Sequence, residues 1–104
     1  MLIELPYREE LRRGGEDRIA HGGVVAALVD IAAHATLHAQ TRRGMPTIDL
    51  RVDYLRPAQM PLMARGLVRR RGQTIGNADV EVFDATGRLV ATGRAVFLTI
   101  SPTA

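Results

Sequence analysis

Residues 21–40, HGGVVAALVDIAAHATLHAQ, constrain this chain more than any other stretch. A histidine and two glycines are followed by a nearly unbroken apolar run whose only acid is Asp30. Val25, Leu28, Val29, Ile31 and Leu37, set among alanines, leave no wide polar stripe at any helical phase, so a helix here is covered on most sides. Such a helix is roughly 25–30 Å long, and its small side chains let a second backbone or a flat sheet come close. The rest of the chain has to wrap it.

Asp30 is the anomaly in that run. An ionised carboxylate among Val29, Ile31 and Ala33 is costly to bury unless it is paired or hydrogen-bonded. Two readings stay open: an acid paired with His34 one turn on or turned to solvent, or an acid kept for chemistry. His21-Gly22-Gly23 bears on the choice. Glycines at a helix start let the backbone turn and leave N–H groups pointing outward, where the positive end of the dipole holds an oxyanion or polarises a carbonyl. Taken alone, the same glycines read as a loop-to-helix turn. Gly22 and Asp30 are eight residues apart, about 12 Å on a straight helix. An oxyanion donor and a base or nucleophile acting on one carbonyl must each lie within about 3–3.5 Å of it. One copy cannot supply both, so if the two cooperate the working unit is at least a symmetric dimer with paired sites.

The 104 residues suit one domain over positions 1–104. There is no cysteine, which removes disulfides, thiolate metal sites and a Cys nucleophile. The apolar run is interrupted by Asp30, His34 and His38, and no basic region precedes a hydrophobic core at the N-terminus, so the expectation is a cytoplasmic protein with no membrane span. The net charge of +3 comes entirely from arginines interleaved with acids. With two Phe and two Tyr and no stacking motif around the arginines, nucleic acid is not the expected partner. The mild positive field suits a smaller anion such as a nucleotide-bearing thioester. His34 and His38 have a metal-compatible spacing, but no HExxH occurs and only Asp30 aligns with them; neither metal nor cofactor is expected.

Residues 1–7 read as an edge strand stopped at Pro6, and the polar REELRRGGEDRIA as a loop leading to the helix. Past Gln40, TRRGMP ends the helix with Gly44 as cap and Pro46 as barrier. Four strand-like runs follow. Thr47–Arg56 alternates strictly, with Ile48, Leu50, Val52 and Tyr54 on one face and Thr47, Asp49, Arg51 and Asp53 on the other. Leu62–Arg71 is the second run, and Gly72–Gly76 a tight connection. Asn77–Asp84 opposes Ala78, Val80 and Val82 to Asp79 and Glu81. Arg88–Ile100 is apolar on both phases toward its end, which argues for a central place, and its Val96-Phe97-Leu98 segment for contact with another subunit. The layout is α+β: an antiparallel sheet of about five strands curled around one helix, with an outer face bearing Asp49, Arg51, Asp53, Asp79 and Glu81.

With HGG at 21–23, Asp30 nine residues after His21, TIDLRVDYLRPA at 47–58, RRRGQTIGNADVEVFD at 69–84 and GRLVATGRAVFLTI at 87–100, the chain resembles the hotdog-fold acyl-CoA thioesterases, in the PaaI-like branch of the 4-hydroxybenzoyl-CoA thioesterase superfamily. The resemblance runs from Leu5 onward. It implies hydrolysis of an aryl- or medium-chain acyl-CoA to free acid and CoA. The Gly22 amide would polarise the thioester carbonyl beside His21, Asp30 of the facing subunit would act as nucleophile or general base, and Thr47 would orient the water or the acid. Gly23, Arg71, Gly72 and Thr74 would contact substrate, its nucleotide lying near the positive Arg69–Thr74 segment. Homodimers with joined sheets, commonly paired into tetramers, are implied. The chain departs from many relatives in having Gly15 where they carry an asparagine, leaving that contact absent or supplied by Asp17, and in its short N-terminus. The alternative is a non-catalytic hotdog module that binds acyl-CoA or acyl carrier protein.

Overall fold

In the computed structural model, which describes residues 1–99, the apolar run folds as one helix, α1 (Gly22–Thr41). Strands β1 (Leu2–Leu5), β2 (Thr47–Tyr54), β3 (Leu62–Arg71), β4 (Ile75–Phe83) and β5 (Leu89–Leu98) form a single antiparallel sheet in the order β1-β3-β4-β5-β2. This is the expected α+β hotdog architecture, with α1 lying on one face of the sheet. The chain crosses that face between β1 and β2, the two edges, so the helix sits over β3, β4 and β5.

Val25, Leu28, Val29, Ala32, Ala33, Thr36 and Leu37 form the buried stripe of α1 at helical spacing. Facing them are Ala64, Ala78, Val80, Val82, Ala91, Ala95 and Phe97, all buried. Small residues let the layers meet: a Cβ on Gly93 would lie 2.5 Å from Val29 Cγ1 and 2.8 Å from the Arg51 carbonyl oxygen. The helix is long and apolar enough to cross a membrane by length and composition, but its buried stripe is occupied by the sheet, as in a core helix. Contrary to the expected cover on most sides, one flank of α1 is left open among the described residues, and Ile31 is 58% exposed there. On the outer face of the sheet Asp79 takes Arg94 at 2.6 Å and Arg69 at 3.3 Å, and Glu81 pairs with Arg65. Arg94 first, through its hydrogen bond, holds the Asp79 carboxyl below its usual pKa.

Several boundaries differ from the expectation. β1 stops at Leu5, and the expected loop after it contains a 3-10 turn at Glu9–Leu11 and isolated bridges from Arg12 to Ala20 and from Ile19 to Gln59. The helix is capped by Arg42 in the left-handed region (φ 59°), its amide bonded to the His38 carbonyl, and not by Gly44. The His38 ring holds that turn, with Nδ1 2.6 Å from the Arg43 carbonyl oxygen; a carbonyl only accepts, so Nδ1 carries the proton. β4 begins at Ile75, ahead of the expected Asn77. β5 ends at Leu98, and Ile100, the expected last residue of that strand, lies outside the described residues. Phe97 is fully buried within one chain, edge-on to His34 at 5.6 Å, so helix packing accounts for it without a second subunit.

The β4–β5 turn is organised by Asp84, whose carboxylate is 2% exposed. Asp84 Oδ1 accepts from the Thr86 hydroxyl at 2.6 Å and from the amides of Thr86 and Arg88 at 2.9 and 3.0 Å. The Thr86 hydroxyl, followed by those amides, holds the Asp84 carboxyl below the usual carboxylate range against the opposing effect of burial. A depressed folded pKa means stability that is complete above the unfolded value and lost as pH falls through the folded one. Asp84→Ala is expected to cost about 1–3 kcal/mol by leaving these donors unpaired, and to flatten the acid limb of a stability-against-pH curve measured by urea unfolding below about pH 4.

Candidate functional site

The register of β2 decides which of its side chains reach the helix. Thr47 pairs with Phe97 and Asp49 with the adjacent Val96, so Ile48 is an extra residue in a β-bulge. Downstream, Leu50, Val52 and Tyr54 oppose Ala95, Gly93 and Ala91 on the helix side. The bulge turns Thr47 to that same side, opposite buried Phe97. This corrects the strict alternation expected of the strand, which puts Thr47 on the face of Asp49. The consequence is direct: Thr47 Oγ1 donates to Asp30 Oδ1 at 2.8 Å. Asp30 is half-buried, and Thr47, not His34, is its partner. His34 instead stacks on His38, ring centroids 5.6 Å apart.

The start of α1 is held from two directions. His21 is the N-cap residue, and its Nδ1 accepts the Gly23 amide at 3.0 Å. Tyr54, at the far end of β2 from Thr47, donates its hydroxyl to the Gly22 carbonyl at 2.7 Å. The Gly23 amide is therefore occupied, whereas the Gly22 amide donates to no group among the described residues. An unpaired N–H at the positive end of a 20-residue helix is able to donate to an anion or a carbonyl oxygen. Beside it opens a groove of about 360 Å³, lined by Ile19, Ala20, Val25, Tyr54, Leu55 and Pro57 among others.

A sequence-family model described as the thioesterase superfamily matches residues 18–91. The chain belongs to the thioesterase superfamily. Among similar proteins of this superfamily, a crystallised member is 40% identical with a TM-score of 0.86, covering 93% of this chain and 74% of that one. VNG_1336C of Halobacterium salinarum, named only provisionally as an esterase, is 37% identical over 93% of this chain and 72% of its own length. YigI of Escherichia coli, a medium/long-chain acyl-CoA thioesterase, is 33% identical over 77% of this chain. This thioesterase-superfamily chain spans 62% of the length of YigI.

Of the residues singled out in the sequence, the fold brings Thr47 to Asp30 and His21 to Gly23, and leaves these two groups two helical turns apart. Arg71, Gly72 and Thr74 lie at neither: Arg71 ends β3 and Gly72 and Thr74 belong to the β3–β4 turn, at the other end of the helix, where Gly76 approaches Leu37. The Gly72 amide is taken by the Ile75 carbonyl at 3.0 Å, so it is not a free turn donor, and Arg69 is engaged by Asp79. Arg71 and Thr74 are exposed. The Asp17 carboxylate accepts the Ile19 amide and pairs with Arg13. Sequence reasoning missed Tyr54 as a partner of Gly22; its only signal was its place at the end of the alternating strand.

Proposed function

We propose that this chain is an acyl-CoA thioesterase of the PaaI-like kind, hydrolysing an aryl- or medium-chain acyl-CoA at sites shared between two subunits. The observation that carries the reading is that one edge strand holds both halves of a site apart. Thr47, bound to Asp30, starts β2, and Tyr54, bound to Gly22, ends it. Seven residues of strand are about 23 Å.

Among the described residues the outer edge of β2 has no partner strand. Around it Ile31, Ile48, Leu50, Tyr54 and Leu55 are 58, 52, 38, 55 and 49% exposed. Exposed apolar side chains beside an unpaired edge fit an isologous contact with a second copy. Antiparallel pairing of two β2 edges about a two-fold axis at Arg51 sets Leu50 against Val52 and, with Ile48 bulged out, Thr47 of one copy against Tyr54 of the other. Each Asp30 then approaches the Gly22 of its neighbour, twice per dimer. The exposed flank of α1 is covered in the same step, and water is excluded from the pocket. A further pairing into tetramers is part of the same proposal.

In such a pocket the thioester oxygen accepts the Gly22 N–H. Asp30 either attacks the carbonyl carbon or takes a proton from the attacking water, and Thr47 keeps its carboxylate aimed. With water as the nucleophile, collapse of the tetrahedral species expels the CoA thiolate, which takes the proton held by Asp30 as the acid forms; with Asp30 as the nucleophile, the same collapse leaves an acyl-aspartyl anhydride that water then hydrolyses to the free acid. Arg71 and Thr74, exposed at the other end of the helix, are the residues this reading would give to the nucleotide portion. The activity named for YigI supports the acyl-CoA class, and Ile19, Val25, Leu55 and Pro57 beside Gly22, in a groove that Arg13 and Arg56 also line, give an apolar acyl group somewhere to lie. The test is a panel of acetyl-, octanoyl-, palmitoyl-, phenylacetyl- and benzoyl-CoA, read by release of free thiol. Turnover of the octanoyl or aryl esters above the acetyl ester is expected; saturable binding of every ester with no thiol release would replace the proposal with a non-catalytic acyl-CoA module.

A further inference from the structure

The Gly22–Gly23 peptide is gripped at both ends by side chains. Its carbonyl oxygen, on Gly22, accepts the Tyr54 hydroxyl at 2.7 Å, and its N–H, on Gly23, donates to His21 Nδ1 at 3.0 Å. Two adjacent glycines are the softest backbone a helix start can have, and this is where an oxyanion donor needs to stand still. Clamping that plane fixes ψ of Gly22 and φ of Gly23, and with them the direction of the neighbouring peptide, whose N–H is the free Gly22 amide. The ring of Tyr54 adds a wall: a Cβ on Gly22 would touch Tyr54 Cε1 and Oη at 3.7 Å. Tyr54 is 55% exposed and is not one of the buried core residues. Its hydroxyl is the part the arrangement uses.

We propose that Tyr54 is a positioning residue for the thioester oxygen, acting through the Gly22 backbone with His21 as the opposing clamp. The proposal rests on the reading of the Gly22 amide as the oxyanion donor. It also explains why the edge strand β2 reaches as far as the helix start: the strand carries the orientation of the donor at one end and of the acid at the other.

The test uses the purified full chain and its fastest acyl-CoA from the panel, in a cycle of Tyr54→Phe, Gly22→Pro and the double variant. Proline removes the Gly22 N–H itself, so in its presence there is nothing left for Tyr54 to orient. Tyr54→Phe alone is expected to lower kcat about 3- to 10-fold, the range of one lost hydrogen bond, with KM within about 2-fold. On the Gly22→Pro background the same substitution is expected to change kcat by less than about 1.5-fold. Equal losses on both backgrounds, or full kcat in Tyr54→Phe, would overturn the positioning role while leaving the donor intact. Full kcat in Gly22→Pro would overturn the donor reading itself. Independently of activity, the Gly22 and Gly23 amide resonances are expected to shift in Tyr54→Phe; unchanged resonances contradict the clamp.

Discussion

Asp30→Asn is expected to lower thioester hydrolysis by about 10²- to 10⁴-fold, the contribution of a positioned base, while the protein stays folded. Asparagine retains an oxygen where Thr47 Oγ1 now donates at 2.8 Å, so the contact that orients the side chain survives the change. Only the negative charge and the ability to take a proton or attack a carbonyl are lost. Steady-state thiol release gives the activity, and thermal unfolding gives the control, with a melting temperature within about 3 °C of the parent. Wild-type turnover in the folded variant would remove Asp30 from the chemistry.

Gly22→Pro is expected to lower kcat by about 10²- to 10³-fold, the loss seen when one oxyanion donor is removed. The position is favourable for so severe a replacement. Gly22 is the first residue of the helix, where proline is well tolerated because its N–H has no partner within the helix. The preceding residue, His21, already has φ −58° and ψ 143°, the extended region that proline imposes on its predecessor. A Cβ at Gly22 meets Tyr54 only at ordinary contact distance. The variant is thus expected to keep its far-ultraviolet circular dichroism, its binding of CoA esters and its melting temperature while losing turnover. Retained turnover would show that the carbonyl oxygen is polarised elsewhere.

What could be read from the residues and what could not divide along physical lines. The helix was legible because hydrophobic periodicity is a local property, and the bounds of β3 match the strand-like run expected at 62–71 between its flanking turns. The acid and the glycines of the site were legible as anomalies within that pattern. The face of Thr47 was not, because a bulge adds one residue and inverts the phase of everything before it; nothing in TIDLRVDY distinguishes a bulge at Ile48 from continuous pairing. The tie from Tyr54 to Gly22 was not legible either, since the two are 32 residues apart and meet only once the helix lies on the sheet. Which of two adjacent glycine amides stays free depended on the His21 ring, a rotamer and not a spacing. The cap at Arg42 escaped because residue preference favours glycine there, and a local hydrogen bond from His38 overrode it.

Subunit complementation tests the central claim, that each pocket takes its amide from one copy and its carboxylate from the other. Gly22→Pro and Asp30→Asn chains, each nearly inactive, are dissociated together at equal concentration, allowed to reassociate, and assayed for thiol release. In a mixed dimer one pocket carries both lesions and the other carries none. Half of the dimers are mixed, so about a quarter of the wild-type activity is expected to return. Activity no higher than the mean of the two separate variants, in a sample shown to contain mixed dimers, would contradict the shared site.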